Sequence, residues 1–486
     1  LMKKCTIELQ DEVNCKLKNL ETKTRRKINK ELKFFIPWAF HIPSYKLGRW
    51  DGTTSFCNMG GQTSINLIDK ILPIIIEDGY EVVIDDQRIS WNIELNQIDE
   101  NVISHCKWPS GHRFEGESIT LREHQVQIIN NLLSNKQSIV EASTASGKTI
   151  ICAVLSSLIE KYGRSIIIVP NKSLVKQTEQ DYINVGLDVG VFYGDRKEVN
   201  HTHVICTWQS LNVLDKKSKD FDEELMNIFL ENVVCVINDE THNLQGKSIH
   251  DLFSGPMRNI PIRWGLTCTI PKEDYIFYNL LSAIGPVVGQ VKAKDLQEKN
   301  ILSNCFIDVV QVQEKIDFKE YKQEKDFLTL DKNRLNFLVD NVIKDVTNNG
   351  NTLILVEKID TGETLQKLLP NSVFVSGNMK VNDRKKHYDK INEENNQIII
   401  ATLGVASTGI DIPRIFNLVL FESGKSFIRV IQSIGRGLRK ANDKDFVNII
   451  DICASTKYSK RHLTERKKYY KEANYQFKVR KITRND

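Results

Sequence analysis

The chain contains 486 residues, of which 41% are hydrophobic and 27% are charged, and its formal net charge at pH 7 is +5. This length is too great for a single hydrophobic core and indicates about three domains. The composition excludes a disordered or fibrous protein, and no apolar run is long enough to span a bilayer.

Residues 1–105 predict a small α+β domain. The glycine-rich segment at 48–62 indicates a turn and short strands, and residues 64–86 have the pattern of a helix, a turn at Gly79 and a strand. Trp38 and Trp50 are candidates for stacking on bases, although tryptophan is more often a core residue. The polar segment 108–118 follows this domain, for which we expect a role in nucleic-acid binding.

The central part of the chain alternates short apolar strands with helical stretches, which is typical of parallel sheets covered on both faces. In residues 106–298 we predict strands at 138–142, 165–170, 202–207, 233–239 and 262–269. In residues 299–452 we predict strands at 352–357, 372–376, 397–401, 417–421 and 446–451. Two tandem α/β domains of similar architecture are therefore expected.

The stretch EASTASGKT at 141–149 resembles a phosphate-binding loop between a strand and a helix. Backbone N–H groups of such a loop face the phosphates, Lys148 would reach the β- and γ-phosphates, and Thr149 would hold Mg²⁺. Two usual glycine positions are occupied by Ala142 and Ala145, so the loop alone is a weak signal. The residues expected to contact the nucleotide here are Thr144, Ser146, Gly147, Lys148 and Thr149.

The apolar strand at 233–239 ends in the sequence Asp239-Glu240-Thr241-His242. Acidic residues at the end of a buried parallel strand project into the crevice beside a phosphate-binding loop. Asp239 would bind Mg²⁺ there, and Glu240 would orient and deprotonate the attacking water. A hydrated strand end is the alternative interpretation of such a pair.

The stretch VIQSIGRGLRK at 430–440 places Arg436 and Arg439 three residues apart, on one face of a helix. Two arginines suit a γ-phosphate that gains charge during transfer. Without the other two motifs, a basic surface helix would explain the pattern equally well.

Residues 453–486 predict a short basic helical tail. Residues 457–486 hold 11 Lys/Arg and 3 Asp/Glu, a net charge of +8, which leaves −3 on the rest of the chain. Interleaved Tyr and Phe residues suit a phosphate backbone with occasional base stacking. A solvated terminal helix without a ligand is the alternative.

The ten cysteines are scattered, and none forms a C-x-x-C pair. We therefore expect reduced and mostly buried thiols in a cytoplasmic protein, since the first residues also lack the apolar stretch of a signal peptide. A zinc site built from Cys57, Cys106 and nearby histidines is the alternative.

Together, the motifs resemble those of superfamily 2 helicases and translocases of the DExH type. The resemblance covers residues 119–452 and includes LREHQ (121–125), GLTCT (265–269, usually G-L-[TS]-A-T), TGIDIP (408–413) and QSIGRGLR (432–439). A closer resemblance, to the recombination helicases of T-even phages, extends into the first domain through RWDG (49–52). In this superfamily Ala142 is ordinary, whereas Ala145 is a departure that leaves Gly147, Lys148 and Thr149 intact.

The resemblance implies two tandem RecA-like parallel-sheet domains, preceded by the small α+β domain and followed by the basic tail. ATP with Mg²⁺ would bind between the two RecA-like domains. The implied activity is that of an ATP-dependent DNA helicase or translocase that remodels forks, junctions and R-loops in phage recombination, repair and replication. Its partner would be branched or duplex DNA, without a membrane, and we expect a monomer in the cytoplasm of a phage-infected bacterium.

The resemblance also assigns roles to individual residues. The adenine contacts would be Arg122 and Gln125, and Gly409 and Asp411 would add nucleotide contacts from the second domain. His242 and Gln432 would couple hydrolysis to movement. The nucleic-acid contacts would be Pro170, Thr207, Gln209, Ser376, Gly377 and Thr402.

Three other functions remain open at this point. The motor motifs scarcely distinguish DNA from RNA, so an RNA helicase is one alternative. A second is the motor component of a restriction system, which would need a nuclease partner because residues 1–118 contain no nuclease motif. A third is a non-catalytic nucleic-acid-binding module, favoured only by Ala145.

Overall fold

The computed structural model describes residues 3–110, 114–143, 146–216, 218–243, 247–407, 412–422, 424, 434–435 and 437–484. The chain forms two compact units, one of residues 1–142 and 147–290 and one of residues 143–146 and 291–486. Every helix in the described ranges is too short or too polar to cross a lipid bilayer. The domain boundaries at 105, 298 and 452 stay predictions.

The first unit begins with a four-stranded sheet of order β5-β2-β1-β6, in which β1 and β6 are parallel and the other pairs antiparallel. Its core includes Ile28, Ile71 and Ile75, which α1 and α3 bury. Gly79 has φ +82° at the turn from α3 to β6, as the pattern predicts. The elements are β1 (Lys3–Leu9), β2 (Asn14–Lys18), α1 (Thr22–Glu31), β3 (Lys33–Phe35), α2 (Pro43–Lys46), β4 (Thr53–Ser55), β5 (Gln62–Ser64), α3 (Ile68–Glu77) and β6 (Tyr80–Asp86).

The rest of the first unit surrounds an eight-stranded sheet of order β10-β9-β11-β8-β12-β13-β7-β14. Its five predicted strands are present, and their neighbours pair in parallel, so their carboxyl ends share one edge. The strands are β7 (Gln137–Ala142), β8 (Arg164–Val169), β9 (Val189–Tyr193), β10 (Arg196–Lys197), β11 (His203–Thr207), β12 (Val233–Asp239), β13 (Ile262–Thr267) and β14 (Val287–Val291). The helices are α4 (Glu123–Leu133), α5 (Lys148–Ile159), α6 (Lys172–Asn184), α7 (Glu223–Leu230), α8 (Lys247–Ser254) and α9 (Asp274–Ala283).

The small sheet and the large sheet of the first unit share a packed interface centred on α9. The rings of Phe34 and Tyr278 lie 4.3 Å apart between centroids, and Ser64 Oγ donates a 2.7 Å hydrogen bond to the carbonyl oxygen of Ser282. Leu281 is buried within the apolar core of the small sheet. The amino-terminal domain is therefore fixed to the first large sheet through side chains that sequence periodicity did not single out.

The second unit surrounds a seven-stranded sheet of order β17-β18-β16-β19-β20-β15-β21. All five predicted strands are present, and β15 and β21 are additional. The strands are β15 (Asn304–Gln313), β16 (Thr352–Val356), β17 (Ser372–Val375), β18 (Ile398–Thr402), β19 (Asn417–Phe421), β20 (Phe446–Ala454) and β21 (Phe477–Thr483). The helices are α10 (Ala293–Glu298), α11 (Tyr321–Leu330), α12 (Lys332–Leu338), α13 (Lys344–Thr347), α14 (Ile359–Leu368), α15 (Val381–Glu393), α16 (Leu403–Ser407) and α17 (Lys457–Glu472).

The basic segment after residue 456 is an integral part of the second sheet. It contains the expected helix, α17, and also the strand β21, which pairs in parallel with β15 from Ile307↔Phe477 onwards. Arg466 on α17 forms a buried ion pair with Asp451 at 3.0 Å, and the Tyr470 hydroxyl donates to the same carboxylate at 2.9 Å. Removing this segment would expose the Asp451 carboxylate and one edge of β15.

Candidate nucleotide-binding and nucleic-acid-binding site

The phosphate-binding loop leads into α5 through Gly147, whose φ of +83° lies in the left-handed region. Lys148 and Thr149 are the first two residues of the helix, so their N–H groups belong to its positive end. A Cβ atom on Gly147 would lie 2.2 Å from Gln125 Nε2. The space beside the loop is therefore already occupied by the side chain expected to read adenine.

Gln125 is buried at the start of α4, and its Oε1 atom accepts a 2.9 Å hydrogen bond from the N–H group of Arg122. This contact orients the amide and leaves the Nε2 end facing Gly147. Gln125 and the phosphate-binding loop, far apart in sequence, are thus brought together as the motif resemblance predicts. Ser146, which precedes Gly147, is also buried.

Lys148 meets the acidic motif at the end of β12. Its Nζ atom lies 3.1 Å from Glu240 Oε1, with both side chains mostly buried. Burial alone would lower the pKa of Lys148, but the Glu240 carboxylate, with smaller contributions from Cys268 and Asp239, outweighs it and raises the pKa. Lys148 is therefore a permanent cation, suited to a polyphosphate.

Two features of the acidic pair depart from ordinary strand geometry. Glu240 has φ +53°, a left-handed conformation that costs a non-glycine residue about 1–2 kcal/mol. Its N–H group donates a 2.9 Å hydrogen bond to Asp239 Oδ1. Burial, reinforced by the neighbouring Glu240 and opposed by Lys148, raises the pKa of Asp239 to about 7. A carboxylate in this environment is stabilised by an added cation.

His242 connects the acidic motif to the end of β13. Its Nδ1 atom lies 2.7 Å from Thr267 Oγ1 and 3.4 Å from Glu240 Oε2. The Thr267 hydroxyl donates to the carbonyl oxygen of Thr269 at 2.9 Å, so it accepts from a protonated Nδ1 of His242. Burial lowers the pKa of His242 despite the nearby Glu240, which indicates a neutral imidazole.

The expected nucleic-acid contacts of the first large sheet lie at the carboxyl ends of two neighbouring strands. Pro170 follows β8, Thr207 ends β11, and Thr207 pairs with Val169 in the sheet register. Gln209 is exposed, whereas Thr207 is buried and its hydroxyl lies 2.9 Å from Ser210 Oγ. The Gln209 side chain is thus open to a ligand, and Thr207 shapes the turn beneath it.

The second sheet repeats this arrangement. Ser376 and Gly377 follow β17, and Thr402 ends β18. The parallel register pairs Val375 with Ala401, which places Ser376 beside Thr402 at the carboxyl edge. Gly377 is exposed, and the other two are partly buried.

Arg439 lies in the second unit, where its backbone bridges to Leu302. Burial lowers the pKa of Arg439 to about 10.

Lys444 is a buried residue that the motifs did not indicate. Its Nζ atom donates to the carbonyl oxygens of Pro413, Gly437 and Arg439 at 2.7, 2.7 and 2.6 Å. Three carbonyls converging on one nitrogen would have been recognisable only in three dimensions.

Five predicted site residues lie outside the described residues: Thr144, Gly409, Asp411, Gln432 and Arg436. Their roles, and those of all the other site residues, stay predictions. Eight of the ten cysteines are buried, as expected. Within the described ranges, neither Cys57 nor Cys106 belongs to a metal-binding cluster.

Comparison with known proteins agrees with this geometry. The family model "Type III restriction enzyme, res subunit" matches residues 118–272, and "Helicase conserved C-terminal domain" matches residues 333–441. The ATP-dependent DNA helicase uvsW of Enterobacteria phage T4 is 26% identical over 451 residues, covering 88% of this chain and 86% of that protein. The chain is a superfamily 2 helicase.

Solved structures match the fold of this helicase. The crystal structure of T4 UvsW is 20% identical, with a TM-score of 0.50, and covers 99% of both chains. The DNA-bound Type ISP restriction-modification enzyme LlaBIII is 15% identical, with a TM-score of 0.57, over 86% of this chain and 36% of that one. Two RecA-like domains and an ATP-hydrolysing enzyme of nucleic acids, both predicted from the motifs, are confirmed. The non-catalytic alternative is rejected.

Proposed function

We propose that this helicase is an ATP-dependent DNA translocase that remodels forks, junctions and R-loops in phage recombination, repair and replication. The observation that carries the proposal is the similarity to the T4 DNA helicase over 88% of the chain. The T4 crystal structure also matches over 99% of both chains, which includes the amino-terminal domain. A monomer in the host cytoplasm belongs to the same proposal.

The cluster of Lys148, Glu240 and His242 supports a specific order of events. Lys148 is paired with Glu240, and a carboxylate in such an ion pair is a weaker base. An arriving triphosphate carries more negative charge than one carboxylate and would draw Lys148 onto its phosphates. Glu240 would then be free to orient a water molecule and accept its proton.

Mg²⁺ would be held by Thr149 and Asp239. The fit is supported by the chemistry of the donors, a hydroxyl and a partly buried carboxylate, whose pKa burial and the neighbouring Glu240 raise to about 7. When bound, the ion would neutralise charge on the phosphates. Arg439, with Gln432 and Arg436, keeps its proposed catalytic role in the second RecA-like domain.

Contacts to the nucleic acid would come from the carboxyl edges of both large sheets. Gln209 and Gly377 are exposed at these edges, next to Pro170, Ser376 and Thr402. Small polar groups and backbone at such positions suit phosphates, which all sequences share. Because these contacts would go to phosphates, we expect the protein to step along DNA without sequence preference.

The amino-terminal domain offers an aromatic surface for a branch point. We define the aromatic segment as residues 33–49, in which the side chains of Phe35, Trp38 and Phe40 are 43%, 36% and 52% exposed. Lys33, Lys46 and Arg49 are exposed in the same segment. Aromatic faces beside cations suit unpaired bases and their phosphates.

Trp50, which follows the aromatic segment, is a weaker candidate for stacking. It is only partly exposed, and its indole N–H donates a 2.8 Å hydrogen bond to the carbonyl oxygen of Thr53. This hydrogen bond holds the indole ring of Trp50 against residue 53. We therefore assign base stacking to the aromatic segment.

A second candidate is the motor of a restriction system. The matching family model is named for the res subunit of Type III restriction enzymes, which favours this alternative. The two functions differ in their DNA requirement, because a restriction motor acts on linear duplex from a recognition site, whereas a branch remodeller responds to a fork.

The test is ATP hydrolysis by the purified chain with no nucleic acid, linear duplex, forked DNA and single-stranded RNA, beside Lys148→Ala. The proposal expects the strongest stimulation by the fork and its loss in the variant. Preferential stimulation by RNA or by linear duplex would reject branch remodelling. Phe40→Ala tests the aromatic segment, since it should reduce fork unwinding while nucleic-acid-free hydrolysis is retained.

A further inference from the structure

One cluster joins two residues of the proposed hydrolytic site to a cysteine that hydrolysis does not use. Glu240, His242 and Cys268 each offer one ligand atom, and these atoms all lie within 4.8 Å of one another. Within the described residues it is the only group of three or more His, Cys, Asp or Glu side chains with this property. Cys268 and His242 are buried, and the Glu240 side chain is 16% exposed.

We propose that Glu240, His242 and Cys268 form a binding site for a thiophilic divalent cation such as Zn²⁺, and that the bound cation inhibits ATP hydrolysis. Cys268 stands in GLTCT at the position where the motif is usually written with alanine. The cysteine therefore adds a third, sulfur ligand to two residues of the DExH motif. The inference rests on the cluster itself and not on the proposed DNA substrate.

The geometry needs only small movements to bind such an ion. Zinc accepts Cys, His and carboxylate ligands at about 2.0–2.3 Å in a tetrahedral arrangement, in which neighbouring ligand atoms lie about 3.3–3.6 Å apart. Glu240 Oε2 and His242 Nδ1 are already 3.4 Å apart. Because all three ligand atoms lie within 4.8 Å of one another, no pair has to approach by more than about 1.5 Å, which is within the range of one side-chain rotation. Three protein ligands leave the fourth position open to water.

The charges around the cluster also suit a divalent ion. Lys148 binds the other carboxylate oxygen of Glu240, Oε1, so Oε2 remains directed towards His242. Binding would convert the Cys268 thiol into a metal-bound thiolate and release one proton to solvent. The proton on Nδ1 of the neutral His242 ring would be exchanged through solvent to Nε2, which frees the Nδ1 lone pair for the metal, and no oxidation state changes. The thiolate supplies one negative charge to the ion, and the Glu240 carboxylate lies between the ion and Lys148.

The inhibitory effect follows from the ligands that the ion would occupy. A metal on Glu240 Oε2 removes the carboxylate lone pair that would accept the proton of the attacking water. A metal on His242 Nδ1 would also displace that nitrogen from Thr267 Oγ1, 2.7 Å away. Mg²⁺ does not compete well for this site, because it prefers oxygen ligands in octahedral geometry.

The test has a spectroscopic arm that requires no ATP. Co²⁺ is added to the metal-free protein, with a phosphine as reductant because dithiols bind the metal themselves. We expect a thiolate-to-cobalt charge-transfer band in the parent protein that is absent in Cys268→Ala. Cys106→Ala and Cys305→Ala, at the two partly exposed cysteines, should keep the band.

The second arm measures ATP hydrolysis at constant Mg²⁺ in a series of buffered free Zn²⁺ concentrations. Each variant is compared with its own zinc-free rate, so a change in its basal activity does not matter. We expect Cys268→Ala to need at least about tenfold more Zn²⁺ for half-inhibition, the size of effect seen when a metal site loses a supporting group. A chelator selective for Zn²⁺ should restore the parent rate.

The proposal is overturned if the parent protein shows no thiolate band, or if Cys268→Ala retains the band or the parent's zinc sensitivity. A band without zinc inhibition would reject the inhibitory role. Thermal unfolding of Cys268→Ala checks the fold, which alanine at this position should preserve. Absence of DNA stimulation would leave the cobalt result unaffected, so failure of the proposed function is distinguishable.

Discussion

The Nζ atom of Lys444 lies 2.6 Å from the carbonyl oxygen of Arg439. The same nitrogen also binds the carbonyl oxygens of Pro413 and Gly437, and it is 4% exposed. Burial, with the nearby Arg439 charge, lowers the pKa of Lys444 to about 7. One buried lysine side chain thereby holds together two segments that the motifs treat as separate.

We predict that Lys444→Met lowers kcat about tenfold or more while the KM for ATP changes little. Methionine keeps the length of the side chain but leaves three carbonyls without their donor, at a cost of about 1–3 kcal/mol each in local order. Steady-state kinetics measure both constants. Lys440→Met removes the same charge from the preceding turn and should behave like the parent. Equal kcat values in the two variants would contradict a positioning role for Lys444.

The hydrogen bond between His242 and Thr267 predicts a loss of coupling in Thr267→Val. Valine has the shape of threonine but no hydroxyl, so His242 loses a bond worth about 1 kcal/mol and its fixed orientation. We expect the ratio of DNA-stimulated to unstimulated ATP hydrolysis to fall about fivefold. Thr267→Ser keeps the hydroxyl and should restore the ratio. A parent-like ratio in Thr267→Val would show that this contact does not transmit DNA binding.

The conformation of Gly147 predicts that Gly147→Ala weakens nucleotide binding. Alanine at φ +83° costs about 1–2 kcal/mol of folding free energy. Its Cβ atom would also lie only 2.2 Å from Gln125 Nε2, so the amide of Gln125 would have to move. We expect at least a tenfold rise in the Kd of a fluorescent ATP analogue. Gly186→Ala is the matched control, since Gly186 has φ +79° and open space around its Cα. It should lower stability similarly and leave the Kd unchanged.

The position of Glu240 predicts that Glu240→Gln abolishes turnover and leaves ATP binding intact. Glutamine keeps the shape of the side chain beside Lys148 but is not a base. We expect a fall in kcat of about 100- to 10,000-fold, measured with the Kd of the same ATP analogue. Vigorous hydrolysis by Glu240→Gln would refute the assignment of the general base.

The exposed face of α17 carries a basic stripe that we expect to bind the DNA backbone. Its residues recur at helical spacing and are Lys457, Lys460, Arg461, Lys468 and Lys471. Because α17 and β21 build the second sheet, deleting residues 457–486 would damage the fold, and substitution is the better test.

We predict that Lys460→Glu, Arg461→Glu and Lys471→Glu in combination weaken duplex binding and flatten its salt dependence. The slope of log K against log salt should fall by about 0.9 for each phosphate that the protein no longer neutralises. Lys386→Glu with Lys390→Glu is the control, because both lysines already face carboxylates on or beside α15. An unchanged slope in the triple variant would exclude the stripe from the DNA-binding surface.

The sequence predicted the elements whose signal is local. The strands around Ile237 and Ile400 are short β-branched runs that must be buried on both faces, and they were located correctly. Strand β21 was missed because charged residues interrupt its apolar ones and most of its residues are exposed, so that its backbone pairing with β15 defines it.

Contacts between segments that are distant in the chain could not be predicted from the sequence either. Lys444 belongs to no motif, and the residue type of Glu240 does not indicate its left-handed backbone. The end of a buried strand predicted that Glu240 lies beside the phosphate-binding loop, but it did not predict the ion pair with Lys148. Sequence motifs thus locate the chemistry, whereas the side chains that hold it in place are set by tertiary packing.

The order of strands in the second sheet has a consequence during synthesis on the ribosome. β15 is the first strand of that sheet to emerge, but both of its neighbours, β20 and β21, lie in residues 446–483. The backbone of β15, with its apolar residues Val309, Val310 and Val312, therefore has no partner strand while more than a hundred residues are translated. An unpaired strand of this kind is a template for association with other chains. Slow or interrupted translation before residue 446 should thus favour aggregation of the nascent helicase.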